Sequence, residues 1–227
     1  MEIKPIAYIY TDFKEKFGIP RQSGRAKALE GRIVFEKEFR DEDAIRGIED
    51  FSHLWLIFDF SEVHREKFSP TVRPPRLGGN KRVGVFASRS PFRPNSLGLS
   101  VVKLEKIEKL KQEGITLIVS GVDILDNTPI YDIKPYLPYA DAISDAKGGY
   151  GEEASGYKLE VDFPQKLLKL IPKEKREALK ECLADDPRPS YQEEEDRVYS
   201  MCFSGFDIRF KVKENKLTVV DTKKRTD

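Results

Sequence analysis

Arg89-Ser90-Pro91-Phe92-Arg93-Pro94-Asn95 packs side chains able to hold a nucleotide into one short stretch. Each arginine offers a planar fork of donors that pairs with anions and stacks on a base or phenyl ring. Asn95 supplies an amide with both donor and acceptor faces, suited to a purine edge. Pro91 and Pro94 fix φ and keep the backbone out of a helix, and Gly98 permits close backbone approach. The same residue types also build rigid turns whose arginines pair with structural carboxylates, and on residue types alone the turn reading prevails.

Three other groups invite chemistry. The stretch Pro70 to Arg82 carries Arg73, Arg76, Lys81 and Arg82 among prolines and glycines. A basic loop of that length suits phosphate contacts, and a solvated surface loop fits it equally well. Asp123-Ile124-Leu125-Asp126-Asn127-Thr128-Pro129 places two carboxylates close together, followed by Tyr131, Asp132, Tyr136 and Tyr139. Paired carboxylates serve glycoside hydrolysis, but acidic residues beside Asn-Thr-Pro more often cap turns. His64, followed by Arg65, stands just past the apolar run ending in Phe58-Asp59-Phe60. A lone histidine at a strand end is usually structural, and no Ser or Cys motif of the G-x-S-x-G kind makes it a nucleophile's base.

These groups need elements to hold them. Ile6 to Tyr10 and Arg32 to Phe39 alternate apolar and polar residues, with Ile33, Phe35 and Phe39 expected to face inward. Leu54-Trp55-Leu56-Ile57-Phe58 is continuously apolar and too short for a typical helix, so it is expected to be a strand buried on both faces. Val83 to Phe86 is expected as a short strand. Leu99 to Leu110 and Ile115 to Leu125 flank a turn around Gly114 and read as a hairpin. Asp41 to Ile48 reads as the one helix of this region, with Asp41 as its N-cap. Beyond residue 160 the pattern predicts two helices split by Pro172, then a meander over Val198 to Phe203, Phe206 to Val212 and Leu217 to Val220. Many strands with short connections predict a mainly β, or α+β, protein: a closed β-barrel over 1–157 and a small α+β C-terminal unit over 158–227. The scarcity of early helices and the lack of G-x-G-x-x-G argue against a Rossmann fold.

Composition narrows the function classes. Hydrophobic residues make up 39% and charged residues 35%, a globular balance. The net charge of +1, from 40 basic and 39 acidic side chains, argues against nonspecific coating of nucleic acid, so any RNA contact needs a local basic patch. No apolar run approaches the roughly 20 residues of a membrane span, and the start shows no signal-peptide core, so a cytoplasmic protein with no membrane association is expected. Cys182 and Cys202 are far apart, with only His53 and His64 as further soft ligands, so no dedicated metal site is expected.

The order of four motifs is more informative than any one of them. They are Pro20-Arg21-Gln22-Ser23-Gly24, Phe51-Ser52-His53-Leu54-Trp55-Leu56-Ile57-Phe58, Gly84 to Ser100, and Asp126 to Asp141. In this order the chain resembles the TsaA-like, or TrmO, family over roughly Ile3 to Ala142. Asp186-Pro187-Arg188-Pro189-Ser190-Tyr191 is similar to a motif in the C-terminal unit of many members. The resemblance implies a β-barrel methyltransferase, working as a homodimer, that uses S-adenosylmethionine to methylate N6 of threonylcarbamoyl-adenosine beside the anticodon of a threonine tRNA. It implies cofactor contacts from Pro20, Arg21, Gln22, His64, Arg65, Arg89, Leu99 and the stretch Asp123, Ile124, Leu125 and Asp126. Asn127 stands where the family commonly has glycine, and asparagine tolerates the left-handed φ such a turn needs.

Methyl transfer from a sulfonium needs alignment and dryness rather than an enzyme nucleophile. Within that reading, Asp132 and Tyr136 are candidates to accept or orient the proton of N6. Arg73, Arg76, Lys81, Arg82 and Arg93 are candidates for tRNA phosphates. A non-catalytic tRNA-binding module, and a methyltransferase of the same fold acting on a small molecule, are the alternatives.

Overall fold

The computed structural model of the chain describes residues 2–64, 67–74, 81–154, 156–188, 194 and 196–225. Its first part contains β1 (Ala7–Thr11), β2 (Glu30–Phe35), β3 (His53–Asp59), the short β4 (Thr71–Val72) and β5 (Val83–Gly84), β6 (Leu97–Leu110), β7 (Gly114–Ser120) and β8 (Thr128–Pro135). Six of these close into a barrel in the order β1-β2-β7-β6-β3-β8, with β8 pairing back onto β1. Every pairing around the ring is antiparallel.

Alternation along the strands explains the closure. Ala7 and Ile9, Ile33, Leu54 and Leu56, Leu117 and Val119, and Ile130 all point into the lumen and are fully buried. The run in β3 alternates rather than burying both faces: Leu54, Leu56 and Phe58 are inside, while Trp55 and Ile57 are half-buried on the outer surface. An antiparallel barrel strand has one face turned outward, and a continuous apolar run does not reveal that. Opposite Phe58, across the β3–β6 ladder, lies Gly98. A Cβ there would come within 2.2 Å of the tip of the Phe58 ring, so only glycine lets the ring lie flat on the backbone.

Two other expectations are corrected. Asp41 to Ile48 is not a helix but a 3-10 turn over Glu42–Ile45, broken by Gly47 at φ +84° before a second turn over Ile48–Asp50. Asp41 does cap the first turn, accepting the Asp43 N–H. The strand expected over Val83 to Phe86 stops at Gly84 and winds into a 3-10 turn over Val85–Ala87. The β6–β7 hairpin forms as expected, though β7 ends at Ser120 because Gly121 takes φ +74°.

The rest of the chain holds α1 (Pro138–Asp141), β9 (Glu160–Asp162), α2 (Gln165–Leu168), α3 (Arg176–Ala184), β10 (Tyr199–Phe203), β11 (Phe206–Lys213) and β12 (Lys216–Lys224). The meander β10-β11-β12 is extended by β9, which runs parallel to β12. The inner face of α3 buries Ala178, Leu179, Cys182 and Leu183. Phe13, just past β1, meets Phe203 of β10 edge to face with ring centroids 5.4 Å apart, and both are fully buried. Asp12 reinforces the junction: its carbonyl accepts the Ser204 N–H at 2.9 Å and its carboxylate pairs with Lys175 at 2.7 Å.

Truncating the ring at this junction removes packing from both sides. Phe13→Ala is expected to destabilise the protein by about 3–5 kcal/mol, read by chemical denaturation; a loss below about 1 kcal/mol is inconsistent with this packing.

Candidate functional site

The connection from β1 to β2 runs over residues 12–29 and bends across one end of the barrel. There Pro20, Arg21 and Gln22 face the ends of β3 and β6 and the segment after β7, around a cleft of about 520 Å³, a volume in the range of small-ligand sites. Phe58, Gly98 and Leu99 line it, as do Arg89 and Arg93 from the loop after β5. Asp123, Ile124 and Leu125 close another side. A second cleft adjoins it, sharing Arg89 and Leu99, and is further lined by Ser23, His53, Trp55, Val101, Tyr136 and Asp141.

Hydrogen bonds fix the polar groups of the first cleft. Arg89 Nη1 donates to Gln22 Oε1 at 2.5 Å, joining the two loops across the opening. Ser100 Oγ donates to Asp123 Oδ1 at 2.6 Å from the buried face of β6. Gly24 N–H donates to Gly121 O at 2.8 Å, tying the Pro20–Gly24 loop to the end of β7. A carboxylate, an amide and a guanidinium thus converge on a space floored by an aromatic ring. That set can bind hydroxyl or amine groups at one end of a ligand and a flat apolar ring at the other.

Several expected contacts fall elsewhere. Asp126 does not line the cleft: its Oδ1 accepts the Thr11 N–H at 2.9 Å and its Oδ2 pairs with Lys14, so it braces the turn in which Asn127 sits at φ 58°. His64 is an exposed rim residue, and Nε2 lies 2.8 Å from Oδ1 of the buried Asp59, which does line the cleft. Arg65 and Arg76 lie outside the described residues. Arg73, Lys81 and Arg82 are exposed around the β4–β5 pair, and Arg82 reaches Thr71 Oγ1 at 3.2 Å. Arg93 lines the cleft instead of standing free for phosphate, donating to Ser88 O at 2.8 Å and Val85 O at 3.3 Å. Tyr136 belongs to the second cleft, its ring 5.8 Å from that of Trp55. Asp132 lines neither cleft and pairs with Lys134 at 2.8 Å on the outside of β8. Phe58, Asp59 and Ser100 are site residues that the sequence did not single out. Their signal was positional: each sits at the end of β3 or on the buried face of β6 where the strands meet the mouth. Among the described residues no three His, Cys, Asp or Glu side chains gather as a metal site would require.

Comparison with known proteins places this geometry. The family model for the tRNA-methyltransferase O N-terminal domain matches residues 8–142, and that for the TrmO C-terminal domain matches 157–225. The chain is 41% identical over 219 residues to the tRNA (adenine(37)-N6)-methyltransferase of Escherichia coli K12, covering 93% of each chain. It is 42% identical over 216 residues to the putative S-adenosylmethionine-dependent methyltransferase RcsF of Pseudomonas aeruginosa, covering 92% of this chain and 91% of that one. A crystal structure of TrmO from the latter organism superposes with a TM-score of 0.81 at 34% identity, covering 99% of this chain and 97% of that one.

Asp123 gives the cleft a pH signature. Burial raises its carboxyl from an ordinary 3.8 to about 6, against the opposing pull of the Ser100 hydroxyl, nearby backbone N–H groups and the Arg89 charge. A carboxyl raised on folding favours the folded state at low pH, where it is protonated, and that advantage fades as pH rises through about 6. Asp123→Asn removes the titration. Relative to wild type it is expected to gain stability between pH 4 and 7, on the order of 1–3 kcal/mol. Denaturation across that range is the measurement, and a difference independent of pH contradicts the assignment.

Proposed function

We propose that this chain, which belongs to the tRNA-methyltransferase O family, is an S-adenosylmethionine-dependent enzyme that methylates N6 of the adenosine at position 37 of tRNA. The observation that carries the reading is the pair of clefts sharing Arg89 and Leu99 at the barrel mouth. A donor and an acceptor must meet in one continuous space for direct transfer, and two joined clefts provide it.

The residues of the first cleft fit the cofactor. Asp123 offers carboxylate oxygens to its hydroxyl or amino groups, the Gln22–Arg89 pair spans the opening, and Phe58 contributes to an apolar floor. Pro20, Arg21, Leu99, Ile124 and Leu125 supply the walls. When bound, S-adenosylmethionine supplies an electrophilic methyl group, and the protein's task is to align the attacking nitrogen with it. The second cleft suits the target base, with the faces of Trp55 and Tyr136 available for stacking and the His53 ring beside them. The Tyr136 hydroxyl is the group proposed to orient or accept the N6 proton; Asp132, paired with Lys134 on the outer surface, is a weaker candidate for that role. As the resemblance implies, the acceptor is threonylcarbamoyl-adenosine of a threonine tRNA. Arg73, Lys81 and Arg82 are proposed phosphate contacts, joined by Arg76 on the same basic stretch. Residues 1–157 and 158–227 are proposed as the barrel domain and the C-terminal unit of a cytoplasmic protein.

A homodimer is also proposed. It is supported by apolar side chains left open to solvent: Phe68 and Phe86, 58% and 73% exposed with their rings stacked, and the exposed Leu97 and Leu99 that line the cleft. Light scattering is expected to give about twice 26.1 kDa, and a monomeric mass contradicts the dimer.

Incubating tRNA with the protein and cofactor, followed by nucleoside mass spectrometry, is expected to show one added methyl group on the modified adenosine. Arg89→Ala is expected to weaken cofactor binding measurably, and Tyr136→Phe to slow turnover about 10- to 100-fold with cofactor affinity retained. Unmethylated tRNA from folded, cofactor-loaded wild type removes the reading.

A further inference from the structure

The loop that carries Pro20, Arg21 and Gln22 is held from its far side by the chain that follows α3. Asp185, whose side chain is 3% exposed, accepts the Arg21 backbone N–H through Oδ2 at 3.2 Å and the Arg25 Nε–H through Oδ1. Arg25 also donates to the Tyr157 carbonyl at 2.6 Å. The Arg21 guanidinium turns away from the barrel mouth and donates to Asp186 O at 3.2 Å and Arg188 O at 2.5 Å. Those carbonyls are themselves fixed. Asp186 sits at φ 53° and is clamped by Arg188 through two bonds of 2.9 and 3.0 Å, with the Tyr157 hydroxyl 3.2 Å from its Oδ2. Burial and the Asp186 carboxylate together hold the Tyr157 hydroxyl above its usual range, and the bond to Asp186 holds Arg188 above its own.

We infer that Asp185 is a positioning residue for the cofactor cleft, by which the C-terminal unit sets the conformation of the Pro20–Gln22 loop and with it the Gln22–Arg89 contact. The inference rests on the reading of that cleft as the S-adenosylmethionine site. Asp185 lies outside the cleft lining, so its effect must pass through Arg21 and Arg25. A buried carboxylate shared between a backbone N–H and a guanidinium is strongly directional. Without it, the loop retains its ties to Gly121 and Arg89 and the Arg21 guanidinium's bonds to Asp186 O and Arg188 O, but the Arg21 N–H and the Arg25 Nε–H lose the buried acceptor that joins them. The C-terminal unit would thus contribute to a site whose lining comes entirely from the barrel part of the chain.

The test is calorimetric titration of the full-length protein with S-adenosylmethionine. Asp185→Ala is expected to weaken affinity about tenfold or more, the scale of a charge-assisted bond. Asp185→Asn, which keeps an acceptor for the Arg21 N–H, is expected to recover part of that loss, and it serves as the primary variant if alanine prevents folding. Leu179→Ala leaves a cavity on the buried face of α3 and removes no hydrogen bond to the loop; it is expected to lower the melting temperature and leave affinity within about twofold. Folded Asp185 variants with wild-type affinity overturn the inference, as does an equal loss of affinity in Leu179→Ala. Wild-type protein that binds no cofactor removes the functional reading, and this inference with it. Wild-type binding with unaltered affinity in the variants removes this inference alone.

Discussion

Closure of the sheet by β1 against β8 governs everything else in the molecule. A closed antiparallel ring leaves no strand edge to protect, but six strands enclose a lumen that side chains fill completely. Ile9, Ile33, Leu54, Leu56, Leu117 and Ile130 occupy it, so no ligand can enter. Chemistry is therefore left to the mouth and the outer wall beside it, where strand ends and connections meet the outward side chains of β3 and β6. The functional groups come from separate places: the 12–29 connection, the end of β3, the loop leading into β6 and the start of β6 itself, the segment after β7, and Tyr136 just past β8. Such a site is assembled by topology, and its members are distant in sequence.

That arrangement explains what could be read in advance. Strand alternation is a local signal, so the barrel strands, the β6–β7 hairpin and the C-terminal meander were legible from residue order. The barrel, in place of the Rossmann sheet, followed from the scarcity of early helices. Local signals failed where tertiary demands overrode them. The apolar run of β3 concealed an outward face, and the polar pattern after Asp41 looked helical although Gly47 interrupts it with a left-handed turn. The motifs located most of the cleft, since Pro20, Gln22, Arg89, Leu99 and Asp123 meet there. They could not show the direction of each side chain. Asp126 looked equivalent to Asp123 but points back to Thr11 and Lys14. Phe58 and Ser100 were invisible as site residues because their role depends on lying at the open end of the barrel, a property of register.

A reaction that needs no nucleophile from the protein places its demands on alignment, and the distribution of polar bonds reflects this. The cleft itself holds the Arg89–Gln22, Ser100–Asp123 and Arg93–Ser88 bonds. Others lie behind its walls, where Arg21, Arg25, Tyr157, Asp185, Asp186 and Arg188 form a connected set between the barrel and the C-terminal unit. With Phe13 and Phe203 packed beneath, the two parts share one continuous apolar interior. Rigidity at the mouth is thus derived from contacts well away from it.

Gly98 fixes the depth of the cleft by having no side chain at all. Because the Phe58 ring rests directly on its backbone, the floor is one aromatic ring thick and cannot sink further. Enlarging the site for a bulkier synthetic cofactor would therefore begin with a smaller side chain at Phe58, leaving the charged rim intact. The glycine marks the boundary between the surface an engineer can carve and the backbone that must stay.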